Sequence, residues 1–195
     1  MITTLVTVPA AEPVLIADLK KHLNIDSSFT DDDSYIESLQ KVARRHVEVI
    51  TNRKLITQTW QYFLQDWPDK GFIVMPYGKL QSITHVKYTD ADDTVNTDFN
   101  EDDEFTVDTD SDPGRIVLKY GESNPSATLA NQNPIEIQFV LGYGVAGSNV
   151  PDEIILAIKL MVAELYERRE ISLIGVPKTT LDAFMNLLWP YRLWY

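Results

Sequence analysis

The stretch VPDEIILAIKLMVAELYERR, residues 150–169, sets the requirements for the fold. It contains no glycine, its one proline is at the start, and Lys159 and Glu164 are the only polar residues that interrupt its apolar interior. A helix that is apolar on nearly all sides has to be covered on more than one side. Because two charges in the middle of the stretch are costly in lipid, the sequence predicts the central helix of a soluble core rather than a membrane span.

Further helices are predicted on both sides of this stretch. Apolar spacing after Pro13 indicates a short helix that ends near Asn24, and a longer helix is predicted over residues 32–51. A final short helix is expected over residues 181–189, before Pro190. The apolar face predicted for the longer helix consists of Tyr35, Ile36, Leu39, Val42, Ala43, His46, Val47 and Ile50, opposite Glu37, Gln40, Lys41, Arg44, Arg45 and Glu48.

Between these helices the apolar residues alternate with a period of about two, which indicates strands. The alternation is clearest for Ile135, Ile137, Phe139 and Leu141. Frequent turns and the absence of intervening helices predict an antiparallel sheet or a small barrel. The predicted strands cover residues 55–67, 72–75, 80–90, 104–108, 115–120 and 134–144.

The predicted fold class is therefore α+β, a bundle of about four helices with an inserted antiparallel β-sheet or small barrel. We expect three segments. Residues 1–53 form the N-terminal helices of the helical core, after a start that is extended over the first eleven residues. Residues 54–144 form the inserted β region. Residues 145–195 complete the helical core and end in an aromatic tail.

Composition and charge exclude several classes of protein. The chain has 195 residues and no cysteine, so disulfide frameworks, thiolate chemistry and cysteine metal sites are excluded. The N-terminus lacks a basic segment followed by an apolar one, which predicts no signal peptide and a cytoplasmic protein. A formal net charge of −12 argues against nucleic acid bound on a broad basic surface.

No motif of a catalytic, metal or phosphate site is found in the sequence. His22, His46 and His85 do not have the spacing of a helical zinc site. For His46, on the predicted apolar face, a partly buried and hydrogen-bonded side chain is the better interpretation. Serine-nucleophile, Walker and dinucleotide-binding glycine motifs are absent as well. We therefore predict no enzymatic activity and no cofactor.

Residues 108–114 imitate the start of a calcium loop. An EF-hand loop requires glycine at its sixth position and glutamate at its twelfth, where this chain has Pro113 and Lys119. A solvated hairpin turn is therefore the better interpretation, and the acidic run at residues 89–104 is interpreted as a solvated, mobile loop. A calcium- or carbohydrate-binding surface module that uses this acidic β region stays the alternative function. The alternating acidic residues are Asp108, Asp110 and Asp112.

The chain ends in an aromatic segment. Tryptophan, tyrosine and arginine dominate the hot spots of protein interfaces, so this segment is the candidate partner-binding site. Two conformations are open: the segment folds back on the core, or Pro190 sends it outward as an anchor. The candidate residues are Trp189, Tyr191, Arg192, Trp194 and Tyr195.

The order of these features resembles the head–tail connector (adaptor, or head-completion) proteins of long-tailed bacteriophages and prophages, in the longer variety with an inserted sheet. The chain departs from the family in a longer acidic loop at residues 89–104 and in three additional residues after Arg192. The segments that carry the resemblance, in the family's order, are EPVLIADLKKHLNID (12–26), DSYIESLQKVARRHVEVITNRKLITQTW (33–60), MPYGKLQSITHVKYTDAD (75–92), DPGRIVL (112–118), IEIQFVLGYG (135–144), VPDEIILAIKLMVAELYERRE (150–170) and LLWPYR (187–192).

The resemblance implies a non-enzymatic structural protein of the virion. Proteins of this family form a ring, usually of about twelve subunits, beneath the portal protein, and DNA passes through the ring without specific binding. The ring offers a platform for a stopper connector or the tail. The implied partners of this chain are therefore the portal, a tail or stopper protein and further copies of itself, with assembly in the bacterial host cytoplasm and no membrane.

Overall fold

The computed structural model describes residues 2–101, 103–168 and 178–194. Within these residues the chain forms four helices and eight strands, which confirms the predicted α+β class. The helices are α1 (Ile16–His22), α2 (Asp33–Thr51), α3 (Asp152–Glu167) and α4 (Lys178–Leu188). The strands are β1 (Ile2–Thr7), β2 (Gln58–Leu64), β3 (Phe72–Val74), β4 (Leu80–Thr89), β5 (Val95–Asn96), β6 (Phe105–Asp108), β7 (Arg115–Leu118) and β8 (Ile135–Leu141).

The chain divides into two compact units and passes between them three times. The sheet unit comprises residues 1–9 and 57–142, and the helical unit comprises residues 10–56 and 143–195. The first nine residues, which the sequence analysis grouped with the N-terminal helices, thus form part of the sheet unit. The reason is the antiparallel pairing of β1 with β2, a strand more than fifty residues away in the chain.

The sheet unit is built around β8. A five-stranded antiparallel sheet has the order β1-β2-β8-β4-β5, and a second, three-stranded sheet has the order β3-β7-β6. As predicted, Ile135, Ile137, Phe139 and Leu141 of β8 all face the core and have no exposed surface. This alternation fixes the register, since a shift of one residue would turn all four side chains to the other face.

Two strands, β1 and β5, were not predicted as strands. All side chains of β1 except that of Thr3 are exposed, so the segment shows no alternation of buried and exposed residues. The strand β5 is two residues long and pairs only with Tyr88 and Thr89. Period-two alternation identifies strands that cover a core on one face, and neither β1 nor β5 does so.

The helical unit is organised around α3. Its residues Ile154, Ala157, Ile158 and Val162 form one core with buried residues of α2 and α4, so the central helix is covered on more than one side, as the sequence predicted. The first residue of α3 is Asp152, so the acidic residues of the first turn lie at the positive end of the helix dipole. None of the helices in the described residues is long and apolar enough to cross a membrane.

The buried face of α2 differs from the one predicted. Val42 and His46, assigned to the apolar face, are exposed, whereas Gln40, Arg44 and Glu48, assigned to the solvated face, are buried. The prediction assumed that charged side chains face water. Here Gln40, Arg44 and Glu48 form a polar column that is buried because the chain on either side of α2 supplies its partners.

These partners lie far from α2 in sequence or just beyond its end. Arg44 donates two hydrogen bonds to the carboxylate of Glu12, at 2.8 and 3.3 Å. Glu48 accepts a hydrogen bond from Arg44 at 3.4 Å and one from the backbone amide of Leu55 at 3.2 Å. Gln40 donates to the carbonyl of Val14. The polar column therefore holds both chain segments that flank the first two helices.

Candidate partner-binding surface

The C-terminal segment is tied to the helical unit by its backbone. After α4, residues Trp189–Tyr191 form a short 3-10 turn that includes Pro190. Arg53 donates a hydrogen bond to the carbonyl of Tyr191, and the amide of Leu193 donates to the carbonyl of Thr51 at 2.9 Å. Of the two conformations left open by the sequence, the segment thus adopts the first: it folds back on the end of α2, and Pro190 does not send it outward.

Tyr191 adds a side-chain contact to these backbone contacts. Its hydroxyl donates a hydrogen bond to Glu153 in the first turn of α3, with 2.7 Å between the oxygens. This bond raises the pKa of Tyr191 to about 12, because the neutral phenol is the donor. The same bond, together with a backbone amide of the helix start, lowers the pKa of Glu153. Both the hydroxyl and the carbonyl of Tyr191 therefore form hydrogen bonds within its own chain.

Trp189 and Trp194 lie side by side on the surface. Their ring centroids are 5.4 Å apart and the rings are nearly perpendicular, an arrangement that aromatic pairs favour. The guanidinium of Arg192 lies 4.1 Å from the centroid of the Trp194 ring, a cation–π distance. Nevertheless Trp189 is 59% and Trp194 64% exposed. Two large aromatic rings are thus held in a fixed position and left open to solvent.

The structure therefore divides the five candidate residues. The exposed rings of Trp189 and Trp194, with the half-buried Arg192 beside them, form what we call the tryptophan surface. Tyr191 is also half-buried, and it anchors the segment. Tyr195 lies outside the described residues. Thr51, Arg53 and Glu153 hold the surface in place and were missed by the sequence analysis. No local pattern marks them, since each is remote from the C-terminus in sequence.

The calcium-loop alternative finds no support in the geometry of residues 108–114. They form the predicted hairpin turn, between the paired residues Asp108 and Arg115. Hydrogen bonds from Ser111 and then Arg115 hold the pKa of Asp108 well below its usual range. Asp112 instead lies 3.6 Å from Lys79. Within residues 2–101, 103–168 and 178–194, no group of three or more histidine or acidic side chains could hold a metal ion.

The acidic run is more ordered in its contacts than the interpretation as a solvated loop implies. Asp90 accepts hydrogen bonds from the amides of Asp92 and Thr94, at 3.0 and 2.9 Å, and so closes the turn before β5. These bonds lower the pKa of Asp90. Further along, Phe99 is buried in the core of the sheet unit. Burial of Phe99 therefore fixes this part of the acidic run against the core.

The three histidines lie in different places. The ring of His46 is stacked on that of Phe184, with the centroids 6.1 Å apart, and its side chain is exposed rather than partly buried as expected. His85 forms a contact of 2.8 Å with Glu136 on the neighbouring strand β8. His22 is in the last turn of α1. The structure does not bring them together.

Part of the sequence is similar to a family of head–tail connector proteins. Residues 14–98 match the family of phage gp6-like head-tail connector proteins, which confirms the resemblance seen in the sequence. This region comprises α1, α2 and the strands β2 to β5. Among curated proteins, none matches the sequence of this chain.

Solved structures similar to the chain come from gene transfer agent (GTA) particles. The chain is similar to a subunit in the neck of an empty GTA particle computed with C6 symmetry, with a TM-score of 0.81 and 21% identity over 100% of this chain and 97% of the other. It is also similar to a subunit in the neck of the native GTA particle computed with C12 symmetry, with a TM-score of 0.77, 22% identity and the same coverage. Likeness at this identity shows a shared fold across the whole chain.

Proposed function

We propose that the chain is a non-enzymatic subunit of a ring at the head–tail junction of a phage-like particle. The ring, of about twelve copies, lies beneath the portal, carries the stopper connector or the tail, and lets DNA pass through its hole. The observation that carries the proposal is the combination of the connector-family match with a fold shared over the whole chain with subunits of particle necks.

The tryptophan surface is the part of the proposed subunit that contacts the portal or a neighbouring connector. Exposed tryptophans beside an arginine have the composition of an interface hot spot. Leu193 and Tyr191 already fix the segment that carries the rings by their contacts with Thr51 and Glu153. Binding to a partner therefore costs little further conformational entropy. In a ring each copy adds one such contact, and avidity strengthens the whole assembly.

The test replaces both rings, as Trp189→Ala with Trp194→Ala. Truncation after Leu188 is the weaker design, because it also removes the contacts with Thr51, Arg53 and Glu153 that hold the helical unit together. We expect the double variant to keep its melting temperature within a few degrees, since both rings are largely exposed. We expect it to fail to join heads to tails when it replaces the wild-type subunit in particle assembly.

The matched control is Tyr120→Ala, an aromatic residue that is fully exposed elsewhere on the chain. It should leave both melting temperature and assembly unchanged. Electron microscopy of the assembled particles and native mass spectrometry of the subunit with its portal provide the readouts. Normal head–tail joining by the double tryptophan variant would show that the surface is not the docking site. A chain that forms no ring with its portal would reject the proposed function itself.

A further inference from the structure

Strand β1 is an edge strand without the protection that exposed edges usually have. It pairs with β2 on one side, and no strand in the described residues pairs with the other side. Charged side chains normally guard such edges against pairing with other chains. The first charged side chain of this chain is that of Glu12, beyond the strand. Ile2, Leu5 and Val6 are moreover exposed apolar residues.

The opposite side of the same sheet also has an open edge. Strand β4 is ten residues long, but its outer neighbour β5 pairs only with Tyr88 and Thr89. The stretch 81–87 therefore has β8 on one side and no paired strand, among the described residues, on the other. It carries no carboxylate, and neither does any other residue between Asp69 and Asp90. This open stretch is comparable in length with β1.

The directions of β1 and β4 allow the sheets of two copies to join edge to edge. Each neighbouring pair in the order β1-β2-β8-β4 is antiparallel, so β1 and β4 run in opposite directions. If a second copy is placed beside the first in the same orientation, its β1 meets the open edge of β4 as an antiparallel strand. A head-to-tail contact of this kind uses two different surfaces, and it closes into a ring when the rotation between copies permits.

Side chains and charge favour the same contact. A groove of about 240 Å³ opens beside the outer stretch of β4. Its lining includes buried aromatic rings, which can receive the apolar side chains that β1 exposes. Copies with a net charge of −12 repel one another, and the two strand stretches that would pair carry no carboxylate, although Glu101 lines the groove beside them. Residues that line the groove are Ile83, Val86, Phe99, Asn100, Glu101 and Phe105.

We propose that β1 of one subunit adds to the open edge of β4 of the next subunit, so that the sheets of neighbouring copies join by antiparallel β-addition. The inference rests on the proposed ring and names the contact that builds it. A bulge at Val6 limits the regular part of β1 to Ile2–Leu5, so the contact is a short one. Short edge contacts of this kind are weak individually.

Engineered cysteines test this contact directly, because the natural chain contains no cysteine. Thr4→Cys or Leu5→Cys on β1 is combined with Ser82→Cys or Thr84→Cys on β4, which covers both faces of β1 and two registers. Within one subunit β1 and β4 are three strand spacings apart, about 14 Å. A disulfide requires Cα atoms within about 7 Å, so any bridge must join two copies.

We expect at least one double-cysteine variant, oxidised at high protein concentration, to give a ladder of dimers, trimers and larger species on a non-reducing gel. A mixture of the two corresponding single variants should stop at the dimer, and each single variant alone should stay monomeric. Dimers from a β1 single variant alone would show pairing of β1 with β1 and would overturn the head-to-tail contact. The absence of a ladder from all four double-cysteine variants would overturn the proposed contact.

Native mass spectrometry of the same samples separates the two proposals. Oligomers without a cysteine bridge between β1 and β4 would overturn the proposed contact and leave the ring standing. If neither oligomers nor bridges form, the contact is overturned and the ring loses support as well. Thr4→Lys, which places a charge on β1, should reduce the oligomers, whereas Val8→Lys, beyond the strand, should not.

Discussion

Single residues far apart in the sequence hold the candidate surface in position. The hydroxyl of Tyr191 and the carboxylate of Glu153 depend on each other electrostatically: the bond favours the neutral phenol and the ionised carboxylate. Glu153 therefore contributes stability at neutral pH that is lost as the pH falls through its lowered pKa. Tyr191 contributes stability that is present below about pH 10 and is lost as the pH rises towards about 12.

Tyr191→Phe is expected to raise the pKa of Glu153. The substitution removes the largest cause of the lowered value, whereas the backbone amide at the start of α3 remains. The pKa should therefore move towards, but not fully reach, that of an ordinary glutamate. Carbon-13 NMR of the labelled carboxylate measures the change. Tyr120→Phe, at a fully exposed position, is the control and should leave Glu153 unaffected. An unchanged titration of Glu153 in the Tyr191 variant would contradict the hydrogen bond.

The charged residues buried on α2 show where residue-level prediction from sequence reaches its limit. A helix with Gln40, Arg44 and Glu48 on one face is predicted to expose that face to water. The prediction is wrong because Glu12, 32 positions before Arg44, and Leu55, after the end of the helix, supply hydrogen-bond partners that no local pattern reveals. A buried charge is stable only where such partners exist, and their positions are a property of the fold. The position of Tyr191 against Glu153 was hidden for the same reason.

Helices and strands that cover a core on one face were predictable from the sequence, whereas the edge strand β1 and the conformation of the C-terminal segment were not. The alternation of β8 and the apolar run of α3 follow from the sequence, because burial itself imposes these patterns. Strand β1 has no such pattern, since its identity depends on the edge of β2. Likewise the aromatic composition of the C-terminal segment identified it as a candidate surface. That the segment folds back depends on its backbone contacts with Thr51 and Arg53, which the sequence does not reveal.

The apolar core of α3 leads to a prediction for the helical unit. Ile158 and Val162 have no exposed surface and lie among residues of α2 and α4. Ile158→Asp or Val162→Asp buries a carboxylate without a partner, which should cost more than about 4 kcal/mol and unfold this unit. Denaturation followed by circular dichroism measures the loss. Leu156→Asp is the matched control: Leu156 is 42% exposed on the same helix, and the expected cost is about 1 kcal/mol. Equal behaviour of all three variants would contradict the assignment of the core face.

For the whole molecule, charge is the property that bears most on the proposed passage of DNA. Each chain carries a net charge of −12, and in the proposed ring these charges would add to a negative field around the hole. The sequence offers one candidate for a basic patch, the cluster of Lys41, Arg44, Arg45 and Arg53. Arg44 and Arg53 are buried and bonded within the chain, so only Lys41 and Arg45 of this cluster are exposed. Two exposed charges are too few for the counterion release that drives non-specific binding.

The isolated protein is therefore expected not to bind duplex DNA, even at low salt. Fluorescence anisotropy of a labelled random-sequence duplex, titrated with protein at low ionic strength, measures this. A protein that contacts several phosphates binds most tightly under these conditions, so they are the most sensitive test available. The variant with Lys41→Glu and Arg45→Glu is the control and should give the same flat titration as the wild type. Submicromolar binding that this variant loses would show that α2 contacts DNA, and a subunit that grips the duplex would not suit a ring through which DNA has to slide.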